Sequence, residues 1–302
     1  MTTLKTTLLG LAAAGIVLGA LAACSPLGAL NALSPGKSLR TSAGVPYGAS
    51  PRHKLDIYTP EQSVANAPVI VFFMGGNWVK GERGDYAFVG RALAARGYVV
   101  VIPDYRLYPE VTYPDFLDDS AGAVAWTARE ISRFGGDPSR LYVMGHSAGA
   151  YNAAMVALDP RYLAKFGMRA SALRGLIGLA GPYDFLPIHN PTTKPVFDFP
   201  NTPPASQPIH HVSKAAPPAL LIAANDDDLV NARRNTGALA NKLRAKGVTV
   251  QEVYFDGVSH TTLVASLAAP LRSLAPTLDV IDTFVGSDAG RNPGSGTAAA
   301  AR

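Results

Sequence analysis

The chain carries a single cysteine in 302 residues, which excludes an intramolecular disulfide framework. It has no H-E-x-x-H, no C-x-x-C and no G-x-G-x-x-G, so neither a metal site nor a dinucleotide site is indicated, and no cofactor is expected. Charge is also scarce. Only 16% of residues are charged, and the 27 Lys and Arg against 22 Asp and Glu form no basic blocks interleaved with aromatics. A nucleic-acid partner therefore has no support. What remains is a 48% hydrophobic chain with no visible internal repeat, a composition suited to one large packed core.

The amino terminus reads differently. MTTLK supplies one early positive charge, LLGLAAAGIVLGALAA is an apolar run, and LAAC ends it at Cys24. A short basic region, an apolar core and small residues at a cleavage point describe an export signal. The arrangement resembles the lipobox of bacterial lipoproteins, which implies a signal peptide over 1–23 and a lipid on Cys24 that tethers the chain to a membrane. Ser25 after the cysteine favours the outer membrane of the cell envelope. Ordinary signal cleavage and an uncleaved anchor are the competing readings, the latter disfavoured by a run short of the ~20 residues a span needs. Residues 24–45, rich in Ser, Gly and Pro, read as a flexible tether, and 286–302 as a low-complexity disordered tail.

Between these ends, apolar β-rich runs alternate with helical stretches. KLDIYTP reads as an early edge strand, and APVIVFF, GYVVVIP, LYVMG, LRGLIGLAG, PALLIAA and VTVQEVYF as further strands. Continuous apolar runs separated by helices predict a mostly parallel sheet covered on both faces, an α/β fold in one domain over 46–285. Residues 182–218 interrupt the pattern. They are rich in proline, lack a period and follow a strand, so they are expected to form a short cap or lid.

One short stretch carries chemistry. LYVMGHSAGAYNAA places Gly145, Ser147 and Gly149 in a G-x-S-x-G spacing between an apolar strand and a small-residue helix. That context predicts a sharp strand-to-helix turn holding the Ser147 hydroxyl exposed at the carboxyl edge of the sheet. A neutral serine is a poor nucleophile and needs an imidazole base with a carboxylate behind it. Of the six histidines, His260 in FDGVSHTTLV follows the last predicted strand at the same sheet edge. His146 is expected to point away from the site, and His189, His210 and His211 to belong to the cap. The stretch AANDDDLV offers Asp226, Asp227 and Asp228, among which spacing alone does not choose. MGGNWVKG after VIVFF is a glycine turn whose backbone N–H groups, with that of Ala148, suit a developing oxyanion.

Taken together, FFMGGNWVKG, VVVIPDYRLYPE, FGGDPSRLYVMGHSAGA, GLAGPYDF, the D-x-x-V of Asp227 to Val230, and GVSH resemble the α/β-hydrolase esterases. The similarity is to the branch with carboxylesterases, hormone-sensitive-lipase-like esterases and kynurenine formamidase, and covers roughly residues 45–285. The chain order Ser, Asp, His agrees with it. The resemblance implies Ser147, Asp227 and His260 as catalytic triad and the N–H groups of Gly76, Asn77 and Ala148 as oxyanion hole. Trp78, Tyr183 and Phe185 are candidates for the substrate pocket. Asp104, Arg106, Asp118 and Asp119 match family-like positions and are expected to be structural. Met74 stands where the family usually has histidine, which implies a less firmly held oxyanion loop.

The expected function is hydrolysis of small to medium carboxylic esters through an acyl-enzyme. An arylformamidase or amidase using the same site is the alternative within hydrolases. A surface lipoprotein that only binds a partner is the alternative outside them.

Overall fold

A computed structural model describes residues 26–34, 36, 38–62 and 66–287. The expected signal segment, Cys24 and residues 288–302 lie outside the described residues. Eight strands form one sheet in the order β1-β2-β4-β3-β5-β6-β7-β8. They are β1 (Leu39–Pro46), β2 (Lys54–Pro60), β3 (Ala67–Phe73), β4 (Val99–Pro103), β5 (Gly136–His146), β6 (Leu173–Leu179), β7 (Ala219–Ala224) and β8 (Val250–Phe255). From β4 through β8 every pairing is parallel, and only β1 and β2 run antiparallel to their neighbours. The six-residue ALLIAA of β7 is buried throughout, as are all five residues of β4. Strands buried on both faces need continuous apolar runs, the pattern the sequence carries.

Helices α2 (Ala87–Ala94), α3 (Asp115–Glu130), α4 (Ala148–Leu158), α5 (Pro160–Ala164), α6 (Ala238–Ala245) and α8 (Thr277–Gly286) supply most of the covering layers. A short α7 (His260–Ala265) follows β8. Ile70, Val71, Phe72, Val101, Val143, Leu176 and Leu221 are fully buried in the central strands. Among the described residues no helix is long and apolar enough to cross a membrane.

Two expectations need correction. The segment 24–45 is not a bare tether, because α1 (Pro26–Leu33) and the strand β1 occupy most of it. Asn31 of α1 accepts the Phe88 N–H at 2.8 Å and donates to the Gly84 carbonyl at 2.8 Å, fastening the helix to the domain. Consequently β2 is not the edge strand. β1 lies outside it, and its LRTSAGVP sequence has no clean apolar alternation because no β1 residue is fully buried. The polar residues expected to be structural are so. Arg106 pairs with Asp119 at 2.7 Å, Arg83 grips Asp104 and Asp56, and Asp118 meets Lys165 at 2.6 Å.

Candidate active site

The sheet order brings four strand ends together. β3 and β5 are in register with Phe73 opposite Gly145, so the glycine turn after β3 lies beside the serine turn after β5. The loops after β7 and β8 close on the same edge. Ser147 holds φ 55 and ψ −123, a conformation that L-residues adopt only under strain. Its neighbours explain how. A Cβ on Gly149 would lie 2.0 Å from the Phe73 carbonyl oxygen, and one on Gly145 would lie 2.2 Å from the Gly149 backbone. Both glycines are therefore required for the turn to pack against β3, and the strained serine is held by that packing.

His260 is placed by its own sequence context. Ser259 caps α7 by accepting the Thr262 N–H, and Thr262 accepts the Ser259 N–H at 2.7 Å, a capping box that fixes His260 as the first helical residue. The imidazole is 5% exposed and spans two partners. Its Nε2 lies 2.8 Å from Ser147 Oγ and its Nδ1 lies 2.7 Å from Asp227 Oδ2. The second carboxylate oxygen, Oδ1, accepts the N–H groups of Leu229 at 2.9 Å and Val230 at 2.8 Å. Of the three consecutive aspartates, Asp226 and Asp228 are exposed and only Asp227 turns inward. Burial pushes the Asp227 carboxyl up. The His260 bond and charge and the two backbone N–H groups outweigh burial and hold it below the usual carboxylate range. An ionised carboxylate orients the ring so that the imidazole can take a proton from the serine.

On the opposite side of Ser147 lies the turn after β3. Gly76 has φ 126, and a Cβ there would strike the Lys80 carbonyl oxygen at 2.1 Å, so no other residue fits. Asn77 and Trp78 follow at φ 53 and φ 60. Asn77 and Ala148 line the cleft beside Ser147, with Gly76 one residue behind. No hydrogen bond among the described residues engages the N–H groups of Gly76, Asn77 or Ala148, which leaves them open to an incoming oxygen. The loop is firmly tied despite Met74. Tyr105 donates its hydroxyl to the Met74 carbonyl at 2.9 Å, and the Gly75 N–H meets the Tyr86 hydroxyl at 3.3 Å. The Trp78 indole N–H donates to Asn152 Oδ1 at 2.9 Å, binding the loop to the helix that follows Ser147.

The cleft above these groups measures ≈ 310 Å³, and its lining includes the apolar Trp78, Phe185 and Ile188 together with the polar Asp184, His189, Asn231 and Arg234. The cap segment contributes Pro182, Asp184, Phe185, Ile188, His189, Asn190 and Thr193 to this lining, while its Val196, Phe197, Ser206 and Gln207 are buried. Of the three residues expected in the pocket, Trp78 and Phe185 line this cleft. Tyr183 does not. Its ring is fully buried and packs over Gly178 and Gly181, where a Cβ would come within 1.9 Å and 2.4 Å of the hydroxyl. That hydroxyl has no hydrogen-bond partner among the described residues. Tyr183→Phe is accordingly expected to raise stability by about 1 kcal/mol and leave turnover within about twofold. Thermal unfolding beside an activity assay checks it, and lost turnover would return Tyr183 to the site.

Sequence reading missed Asn235. Its side-chain oxygen accepts the N–H groups of Tyr183 at 2.6 Å and Asp184 at 2.8 Å, pinning the start of the cap to the loop after the acid. It sits in a one-turn π-helix (Arg233–Gly237) and carries no motif. His146 does not line the cleft, yet its ring lies 4.9 Å from that of His260. Among the described residues no group of three or more His, Cys, Asp or Glu side chains could hold a metal ion.

A mostly parallel eight-stranded sheet with a serine on a strained elbow after β5, an aspartate after β7 and a histidine after β8 is the arrangement of the α/β-hydrolase fold. The chain belongs to the BD-FAE family, whose model matches residues 55–243. It is 31% identical over 259 residues to the isoprenylcysteine alpha-carbonyl methylesterase ICME of Arabidopsis thaliana, covering 78% of this chain and 59% of that protein. It is 31% identical over 204 residues to esterase LipC of Mycobacterium tuberculosis, covering 61% of this chain and 50% of LipC. The chain therefore spans about half the length of these curated relatives. The solved Pyrobaculum calidifontis esterase superposes with a TM-score of 0.69 at 23% identity, covering 86% of this chain and 87% of that one.

Proposed function

We propose that the protein is a serine carboxylic-ester hydrolase acting on small to medium esters through a Ser147, His260 and Asp227 triad. The observation that carries the reading is the bridging imidazole, 2.8 Å from the serine hydroxyl and 2.7 Å from a carboxylate. Ser147 Oγ attacks the ester carbonyl carbon while its proton passes to His260 Nε2. The carbonyl oxygen becomes an anion received by the N–H groups of Gly76, Asn77 and Ala148, each such donor contributing roughly 3 kcal/mol to the transition state. His260 then gives its proton to the leaving alkoxide, and an acyl group remains on Ser147. Water, deprotonated by the same nitrogen, releases the acid and restores the serine. Asp227 keeps the Nδ1 proton in place and stabilises the charged ring. The esterase names of the relatives support ester bonds over other acyl bonds.

Trp78 is among the apolar residues that line the cleft. It is 2% exposed and wedged among Phe116, Tyr151, Phe185 and Phe197. Catalytic efficiency, kcat/KM, for p-nitrophenyl acetate and butyrate is expected to exceed that for octanoate by at least about tenfold. A profile that rises toward octanoate would instead describe a long-chain lipase. No turnover on any of the three would sink the ester reading.

A further inference from the structure

Two buried polar side chains behind the triad have no part in the steps above. Tyr86 is 6% exposed and His146 is 5% exposed. The Gly75 N–H lies 3.3 Å from the Tyr86 hydroxyl, and that hydroxyl lies 3.3 Å from His146 Nδ1. On the other side of the ring, His146 Nε2 lies 3.0 Å from the carbonyl oxygen of His260. A carbonyl only accepts, so Nε2 carries the proton and Nδ1 accepts from the tyrosine. The tyrosine oxygen in turn accepts from Gly75. Every donor and acceptor in the row is then used once, running from the oxyanion loop to the backbone of His260. The packing agrees, because a Cβ on Gly75 would come within 3.1 Å of both the Tyr86 hydroxyl and the His146 carbonyl oxygen.

We infer that Tyr86 and His146 are positioning residues that lock the oxyanion loop and the catalytic histidine into one hydrogen-bonded unit. The inference rests on the triad reading above. Both halves of that unit act on the transition state: one holds the oxyanion, the other moves the proton. Neither grips the substrate in its ground state, so their misplacement lowers kcat rather than raising KM. The ring stays uncharged throughout. Burial, then the neighbouring His260, push the His146 imidazole down to about 3, and burial pushes the Tyr86 phenol up to about 12. A neutral ring can support the His260 backbone while His260 itself becomes positive, with no second cation beside it.

The test compares His146→Phe, His146→Gln, Tyr86→Phe and the double His146→Phe/Tyr86→Phe variant with wild type on p-nitrophenyl acetate. His146→Phe and Tyr86→Phe are each expected to lower kcat about tenfold with KM within about twofold, since Tyr86→Phe strips the Gly75 N–H of its hydroxyl partner and His146→Phe cuts the link between that hydroxyl and the His260 carbonyl. His146→Gln, whose amide can still donate to the His260 carbonyl, is expected to recover kcat to within about threefold of wild type. The double variant should fall no more than about threefold below either single, as links of one chain do. Unchanged kcat in Tyr86→Phe, losses that multiply, or a Gln variant as poor as Phe would overturn the proposal. Should His146→Phe not fold, Tyr86→Phe, which keeps ring and volume, decides alone. A wild type without turnover sinks the functional reading, whereas active wild type with unaffected variants sinks only this one.

Discussion

Replacing His260 with alanine is expected to lower kcat for p-nitrophenyl acetate by about a millionfold, roughly 8 kcal/mol of transition-state stabilisation. The size follows from its double role. In the proposed mechanism the imidazole takes the proton of Ser147 in the first half of the reaction and that of water in the second, and among the described residues it is the ring hydrogen-bonded to the serine. His146 is the nearest alternative, but its Nε2 is committed to the His260 carbonyl and burial keeps the ring from accepting a proton. His189 shares the cleft lining. Loss of activity in His260→Ala with full activity in His189→Ala is the expected pair of results. Should His260→Ala keep more than about 1% of kcat, the general base is misassigned.

The second large effect is at the acid. Asp227→Asn changes one oxygen to an amide nitrogen and is expected to cost about 10⁴-fold in kcat. The local hydrogen bonds dictate how. Oδ1 accepts two backbone N–H groups, from Leu229 and Val230, so an asparagine will keep its oxygen there. Its NH₂ then faces His260 Nδ1, which must accept instead of donate. The ring proton is driven to Nε2, where it faces the serine oxygen and leaves no lone pair for the serine proton. Asp226→Asn and Asp228→Asn, at exposed positions, should stay within about twofold of wild type. An active Asp227→Asn beside an inactive Asp226 or Asp228 variant would move the acid to its neighbour.

How far the sequence alone reaches can be judged residue by residue. The central strands, from APVIVFF to PALLIAA, were legible because their core segments are buried on both faces and so are apolar without interruption, whereas β8 at the sheet edge is only half-buried and carries Gln251 and Glu252. The elbow was legible because two glycines are the only solution to contacts near 2 Å. Choosing Asp227 among three aspartates required the D-x-x-V match. In the structure the reason is physical, a carboxylate turned inward by the N–H groups two and three residues on. β1 was not legible, since a half-buried edge strand of polar and small residues looks like linker. Tyr183 was misread because an aromatic in a proline-rich loop says nothing about which way its ring turns. Two core glycines, Gly178 and Gly181, made room for it below the sheet edge. Asn235, Tyr86 and His146 act through a few hydrogen bonds between separate segments, and no local spacing encodes these.

The central claim is that an ester's acyl group passes through the Ser147 oxygen. The direct measurement is mass spectrometry of the protein treated with a p-nitrophenyl alkylphosphonate, which forms a stable adduct with an activated serine. The account predicts one adduct per chain, on the peptide holding Ser147, with esterase activity lost in proportion to labelling and no label on Ser147→Ala. Label on another residue, or full activity in Ser147→Ala, would contradict it.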